Sequence, residues 1–450
     1  MRDLWWVVPG GLAAVAGGLW AWHRLHYRSF WLLIGFPITA ITVWATWRKV
    51  ALGCGLTKKR HRFWFTTVPS LVASTGIVKV RRRFQRVAVD ARPWMWLPRP
   101  TAHGWRVTVH TLEGQVPADY AQAAERLAHS WGVHAVRVSS PRPGRVVLAA
   151  TVRDPLVRLD QLPPSKELLK VNVGRLEIGE PWTIDFRTVP HWINAGATQS
   201  GKSNLANALL AGLAPQPVAL VGIDLKGGVE FTPYAPRLSA LATTRAESVT
   251  VLDDLVALMT DRMGLCRSAG ARTIWQLPPG ARPVPVVVLV DELAELYLMA
   301  DKSEKDEIAR ISTALLRIAQ LGRAFGIYLF LSGQRIGSDL GPGVTALRAQ
   351  CSGRICHRVN DPETATMTLG DLDPAALASA RAIPAETPGV AIVAGQDGQW
   401  YRARSYHVRE QTAEHAARTW AHLAPDWGEI TQPARAARAG APDLPELLSA

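Results

Sequence analysis

Residues Gly196–Ser203 read GATQSGKS, with the apolar lead-in VPHWINA before them and a run of Asn, Leu and Ala, suited to the first turns of a helix, after them. Glycines let such a loop turn its backbone N–H groups toward an anion, and the helix behind the loop adds its positive N-terminal end. Gly196, Gly201, Lys202 and Ser203 have the G-x-x-x-x-G-K-[ST] spacing. In that spacing the lysine reaches the β- and γ-phosphates and the hydroxyl ligates Mg2+. The expected cradle is Gly196, Ala197, Thr198, Gln199, Ser200, Gly201, Lys202, Ser203 and Asn204, with ATP and Mg2+ as ligands and Ser203 on the metal. The plain alternative is a glycine-rich strand-to-helix turn that holds nothing.

Three downstream segments argue against that alternative. PVALVGIDL, PVPVVVLVDE and GIYLFLSGQ are near-continuous apolar runs, as parallel strands covered on both faces require. The second run ends in Asp291 and Glu292. At a strand tip, the first acid suits the Mg2+ shell and the second suits polarisation of the attacking water. The third ends in Gln334, whose amide suits sensing of the γ-phosphate. Arg323, in LGRAFGI just before that run, is a candidate to complete a neighbouring subunit's site, and Arg317, Arg335, Arg348 and Arg354 compete for the role.

Around this α/β motor, 450 residues leave room for two or three units. The formal charge of +14 is unevenly spread: between Arg48 and Arg106, fourteen Lys and Arg face one acid, Asp90. The motor itself is close to neutral, and the basic stretch is suited to lipid headgroups or DNA phosphates. Two apolar runs, Leu4–Trp22 and Phe30–Trp47, carry tryptophan at their ends and are separated by HRLHYRS. Each is close to the length that spans a bilayer, and the flanking charges predict a two-span hairpin in the cell membrane with both termini cytoplasmic. A cleaved secretory signal is the competing reading of the first run. GWRVTVHTL, PADYAQAAERLAHSWG, HAVRVSS and GRVVLAATV predict a small α+β adaptor of strand, helix, strand, strand. Four scattered cysteines suit packed, reduced thiols rather than a metal or disulfide framework. The expected organisation is a transmembrane hairpin over 1–50, a basic segment over 51–104, the adaptor over 105–175, the motor over 176–410, and a helix with a flexible tail over 411–450.

GATQSGKSN, IDLKGGVEF, VVVLVDELAEL, LGRAFGIYLFLSGQR and LRAQCSGRICHRVNDPETATMTLGD together resemble the motor of FtsK/SpoIIIE-type DNA translocases, over about Gly179 to Tyr406. The short anchor plus single motor looks most like the transfer proteins of actinobacterial conjugative plasmids and integrative elements. The resemblance implies a P-loop NTPase of RecA-like, FtsK/HerA type, and a ring, usually hexameric, that pumps double-stranded DNA at the cytoplasmic membrane. It maps the nucleotide loop to Gly196–Ser203, the acids to Asp291 and Glu292, the sensor to Gln334 and the trans arginine to Arg323. DNA contacts are expected from loops after the last two motor strands, with Lys302, Lys305, Arg335 and Arg348 as candidates. Gln199 stands where these translocases commonly have glycine, Ile336 departs from the usual Thr-Gln-Arg-Pro segment, and no winged-helix domain is expected at the C-terminal end. The alternative reading is a type VII-like protein-secretion ATPase of the same motor family.

Overall fold

A computed structural model describes residues 17–432 except 19, 23, 72–77, 158, 160–164, 300, 371–373 and 396–398. The chain divides into two compact units, Met1–Pro155 and Leu156–Ala450.

In the first unit a helical stretch runs through Tyr27–Phe30, a π-turn at Trp31–Gly35 and helix α1 (Phe36–Gly53). Strands β1 (Lys58–Leu71) and β2 (Val78–Ala91) come next as a two-stranded antiparallel ribbon, paired from Lys58↔Ala91 to Leu71↔Val78. Its base is held by Lys58 Nζ donating to the Glu113 carbonyl (2.6 Å) and by the Arg60–Glu113 ion pair (2.9 Å). The basic stretch is therefore largely a hairpin inside this unit. Then come β3 (Trp94–Met95), β4 (Arg99–Thr101), β5 (Gly104–His110), α2 (Pro117–Gln122), α3 (Ala124–Trp131), β6 (Ala135–Arg142) and β7 (Arg145–Thr151), with sheet order β3-β5-β7-β6 and β4 on β5. Trp105, Val107 and Val109 alternate inward along β5, as period-two strand geometry dictates, and meet Tyr120 and Leu127 of the helices.

The same core takes in Trp47, Ala51, Cys54 and Leu56 from the end of α1 and just beyond it. Trp47 Nε1 donates to the Pro93 carbonyl (2.8 Å), and its ring stacks on Trp131 at 6.0 Å. This alters the expected hairpin. Among the described residues no helix is long and apolar enough to cross a membrane. One physical reason is that Val43 and Trp47 of the second apolar run are committed to the adaptor core, and Arg48 and Lys49 come directly after it. Most of the first run, Leu4–Trp22, lies outside the described residues.

The second unit contains a ten-stranded sheet, ordered β12-β11-β13-β14-β10-β15-β16-β17-β8-β9. Its strands are β8 (Lys170–Leu176), β9 (Pro181–Asp185), β10 (His191–Ala195), β11 (Ala219–Ile223), β12 (Ala240–Ala242), β13 (Val286–Val290), β14 (Ile327–Gly333), β15 (Gly353–His357), β16 (Val390–Ala394) and β17 (Trp400–Ser405). From β12 to β15 neighbours pair parallel; from β15 to β9 they pair antiparallel. Strand β8, nearly all of it inside the range expected for the adaptor, joins β9 in completing the motor's sheet. Along β13, Val286, Val288 and Val290 join one core with α5 (Arg245–Ser268) and α7 (Lys305–Leu321), while Val287 and Leu289 join the other with α4 (Lys202–Leu213). Burial on both faces explains why these strands read as unbroken apolar runs. Helix α6 (Leu293–Tyr297) comes after β13, α8 (Val344–Gln350) after β14, and α9 (Glu410–Thr419) covers part of the second face, so the expected C-terminal helix is present. All four cysteines are buried and free.

Strand β15 lies so close to β10 that a Cβ on Gly353 would come within 2.3 Å of the Trp192 ring. Trp192 is buried and tied to the Val189 carbonyl, so the ring has nowhere to retreat. Gly353→Ala is expected to cost about 1–3 kcal/mol, read as a lower denaturant midpoint for the second unit at unchanged m-value. A wild-type midpoint would contradict the packing.

Candidate nucleotide site

Three adjacent parallel strands end at one edge. Ala195 of β10 pairs with Gly333 of β14, and Val290 of β13 pairs with Leu331 of β14. The loop from Gly196, the acids Asp291 and Glu292, and Gln334 therefore emerge together at the carboxyl ends of the strands, where open α/β sheets bind ligands. A cleft of about 730 Å³ opens there, within the range of small-molecule sites.

The loop is held by its neighbours: Gly196 N–H donates to the Gly333 carbonyl (3.2 Å) and Ala197 N–H to the Arg358 carbonyl (2.8 Å). Gln199 has φ +60°, left-handed backbone that a side chain adopts at a cost. This accounts for glycine at that position in the resembled family: the loop needs the conformation, and Gln199 adopts it under strain. Gly201 has φ +109°, and a Cβ there would lie 2.3 Å from the Gly389 nitrogen. Lys202, buried in the first turn of α4, donates to the carbonyls of Gly196 (2.5 Å) and Ala197 (3.1 Å). Burial lowers its pKa, against the raising charges of Glu292 and Asp291. Ser203 lines the cleft beside it.

Glu292 is buried, and its Oε1 accepts the backbone N–H of Gln334 (3.0 Å). Its other oxygen, Oε2, is buried with no hydrogen-bond partner among the described residues. Desolvation raises the carboxyl pKa, partly offset by the Gln334 N–H and by Lys202 and Lys226. A carboxylate fixed by one oxygen, with the other unpartnered and its basicity raised, is what a general base needs. The Gln334 side chain is exposed and accepts from Thr198 Oγ1 (3.3 Å), joining the sensor position to the phosphate loop.

Two residues not singled out in the sequence complete the centre. Asp224 at the end of β11 is fully buried; its Oδ1 takes the N–H of Lys226 and its Oδ2 those of Glu230 and Phe231. With Gly227 and Gly228 at φ +78°, the loop closes on itself and sends Lys226 into the cleft. There Lys226 Nζ meets Asp291 Oδ2 at 2.7 Å. Burial lowers the Lys226 pKa, but the hydrogen bond to Asp291 and the charges of Asp291, Glu292 and Glu230 outweigh it, leaving a raised value. The only advance signal was the tetrad LKGG after a buried strand. Arg358, just after β15, donates to the Thr198 carbonyl and to Asn360 Oδ1 (both 3.1 Å), buttressing the loop.

A hydroxyl, Ser203, and a carboxylate, Asp291, fit Mg2+, which is commonly held by one or two protein oxygens together with substrate phosphates. That Asp291 already carries a cationic partner fits the same assignment. No group of three or more metal-ligating His, Cys, Asp or Glu exists among the described residues, so they offer no metal cage of their own.

Other expected site residues fall differently. Asn204 lines the cleft, yet its amide is used up on the end of β17: Nδ2 donates to Ser405 Oγ (2.8 Å) and the Tyr406 carbonyl (2.6 Å), and Oδ1 accepts from Val408 N–H (3.0 Å). It braces the wall instead of binding the nucleotide. Arg348 is half-buried and donates to the Ile336 carbonyl (3.1 Å), a brace and not a free DNA contact. Lys302, Lys305 and Arg335 are exposed. Arg323 is exposed and stands before β14, at the opposite end of that strand from Gln334. Seven residues at about 3.3 Å each separate it from its own site.

Residues 18–152 match the family described as Actinomycete conjugal transfer protein N-terminal domain. Residues 160–281 and 275–338 match the FtsK/SpoIIIE family. The transfer protein TraSA of Streptomyces ambofaciens is 44% identical over 359 residues, covering 77% of this chain and 86% of that protein. The chain belongs to the FtsK/SpoIIIE family. Within it the chain is most like the actinomycete transfer proteins. The DNA translocase FtsK of Staphylococcus aureus is 30% identical over 261 residues, 52% of this chain and 32% of its own length. Among solved structures, the pCW3 conjugation coupling protein TcpA superposes with a TM-score of 0.54 at 21% identity, covering 74% of this chain and 94% of that one. That likeness concerns the fold alone, a P-loop motor of this family.

Lys226→Met would leave the buried Asp291 facing an incoming polyphosphate without its counter-ion. Binding of a fluorescent ATP analogue in EDTA is expected to weaken by about tenfold, equivalent to one pKa unit of interaction, with a smaller change when Mg2+ is present. Equal losses in both conditions would show that Lys226 does not act through Asp291.

Proposed function

We propose that this chain is an ATP-driven double-stranded DNA translocase that works at the cell membrane in conjugative transfer of a plasmid or integrative element, as a ring of copies, in keeping with a hexamer. The observation that carries the catalytic part is Glu292, with Oε1 pinned by Gln334 N–H and Oε2 buried and unpartnered beside the Lys202 loop. Relatives named as a transfer protein and as DNA translocases support the substrate.

In this reading the Gly196–Ser203 backbone and Lys202 bind the phosphates, and Ser203 and Asp291 hold Mg2+, which when bound neutralises charge on the β- and γ-phosphates. Glu292 Oε2 takes the proton of the attacking water. Gln334, tied to both Glu292 and Thr198, reports occupancy of the γ-position to the loop that carries Arg335. Arg323 faces away from its own cleft and serves the next subunit, where a trans arginine is worth roughly three to five powers of ten in rate. Lys302, Lys305 and Arg335 are the exposed cations assigned to the DNA backbone.

Membrane association rests on the first unit. Along the helical stretch from Tyr27 to Gly53, Leu33, Ile38, Ile41 and Trp44 are exposed, with Ile41 68% exposed. A contiguous apolar stripe of that kind marks a membrane or protein contact. The reading keeps the motor on the cytoplasmic side, where ATP is available.

Glu292→Gln is expected to keep nucleotide binding and to lower turnover by roughly two to four powers of ten. Wild-type ATPase should rise on adding duplex DNA. Turnover indifferent to duplex DNA would refute translocation of DNA and favour a protein-moving ATPase; full turnover in Glu292→Gln would refute the base.

A further inference from the structure

The opposite edge of the same sheet carries a second ordered set of charges. The three neighbouring strands β13, β14 and β10 begin at Val286, Ile327 and His191, and each is preceded at the same distance by an arginine: Arg282, Arg323 and Arg187. Strand order places the three side by side. With strands about 4.8 Å apart, the row is on the order of 10 Å across.

The row is built, not incidental. Trp275 is shared by two of its members: the Arg187 guanidinium sits 4.4 Å from the ring centroid and that of Arg282 at 5.3 Å. Arg282 is further tied to the carbonyls of Trp275 (3.1 Å) and Leu277 (3.2 Å). Arg323 and Arg187 both lower the pKa of Tyr328, whose burial otherwise raises it to about 12, so they act on one spot. Two guanidiniums held against one indole repel each other. Among the described residues none of the three arginines has an ion pair, and Asp185, the acid nearest in sequence to Arg187, spends its oxygens on the N–H groups of Arg187 and Thr188 and on Thr188 Oγ1. Arg187 and Arg323 are exposed.

Among the described residues, two arginines at the nucleotide cleft are already engaged: Arg358 on Thr198 and Asn360, Arg404 on the carbonyls of Leu156 and Pro388. Planar guanidiniums are the side chains best matched to phosphate oxygens, and the exposed guanidiniums of Arg187 and Arg323 lie at the wrong end of the sheet for their own site. We propose that Arg187 and Arg282, clamped on Trp275, form with Arg323 one anion-receiving face that docks on the nucleotide phosphates in the cleft of a second copy. The proposal rests on the reading of this chain as a ring and extends it from one trans arginine to a pinned group. A short rigid row fits the end of a polyphosphate, whose developing charge is best met by donors already in place. A phosphodiester track would call for cations spread along a path.

The test is complementation. Arg187→Ala is expected to lower ATP turnover by about tenfold. Mixed with Glu292→Gln, which cannot hydrolyse but presents an intact row, it should recover to several times the sum of the two alone. Arg187→Lys, which keeps the charge, should be less impaired. Arg323→Ala mixed with Glu292→Gln is the control for the ring reading. If Arg323→Ala complements and Arg187→Ala does not, the proposal fails and the shared site stands; if neither complements, the shared site fails too. Wild-type turnover in Arg187→Ala overturns the proposal. So does loss of duplex-DNA stimulation alone at unchanged basal turnover, which would assign the row to DNA.

Discussion

The parallel register of β10, β14 and β13 is the constraint on which the second unit depends. It sets Ala195 beside Gly333 and Val290 beside Leu331, so three chain segments far apart in sequence leave the sheet at one edge. Because both faces of each strand are buried, a one-residue slip would exchange the two cores and is strongly penalised. The register is then locked beyond the strands by Gly196 N–H on the Gly333 carbonyl and Gln334 N–H on Glu292. The geometry of the candidate site is a by-product of sheet geometry.

That edge concentrates charge where little water reaches. Lys202, Asp291 and Glu292 are all buried, and Lys226 is drawn onto Asp291. Buried ions are tolerated only when paired and hydrogen-bonded, and each cation here sits on a carboxylate or on loop carbonyls that a bound nucleotide would compete for. The opposite edge carries guanidiniums that have no ion pair among the described residues. A sheet with phosphate-binding groups at one end and arginines at the other is polar in a way that suits assembly through unlike faces.

The first unit shows why an apolar run is an ambiguous signal. Phe30–Trp47 has the length and tryptophan ends of a span, and hydropathy assigns its whole circumference to lipid. The fold divides it: Val43 and Trp47 enter the adaptor core, while Ile38, Ile41 and Trp44 remain exposed. The basic residues after it, expected as a basic segment suited to lipid headgroups or DNA phosphates, pair off as a long ribbon. Local composition holds no record of that pairing.

The phosphate loop, Asp291, Glu292, Gln334 and the parallel strands behind them were legible from the sequence, because their chemistry needs particular residue types at short fixed spacings and buried strands need unbroken apolar runs. Lys226 on Asp291, Asn204 and Arg348 as braces, Gln199 in left-handed backbone and the arginines aligned on one edge were not. Each depends on which distant segment arrives next to it: Lys226 lies 65 positions from Asp291 and Asn204 over 200 from Tyr406. Sequence determined which groups could do the chemistry, since that is a property of side chains and local backbone. Tertiary structure decided which of them are free to do it, since a hydrogen-bond donor already spent on a neighbouring carbonyl is no longer available to a ligand.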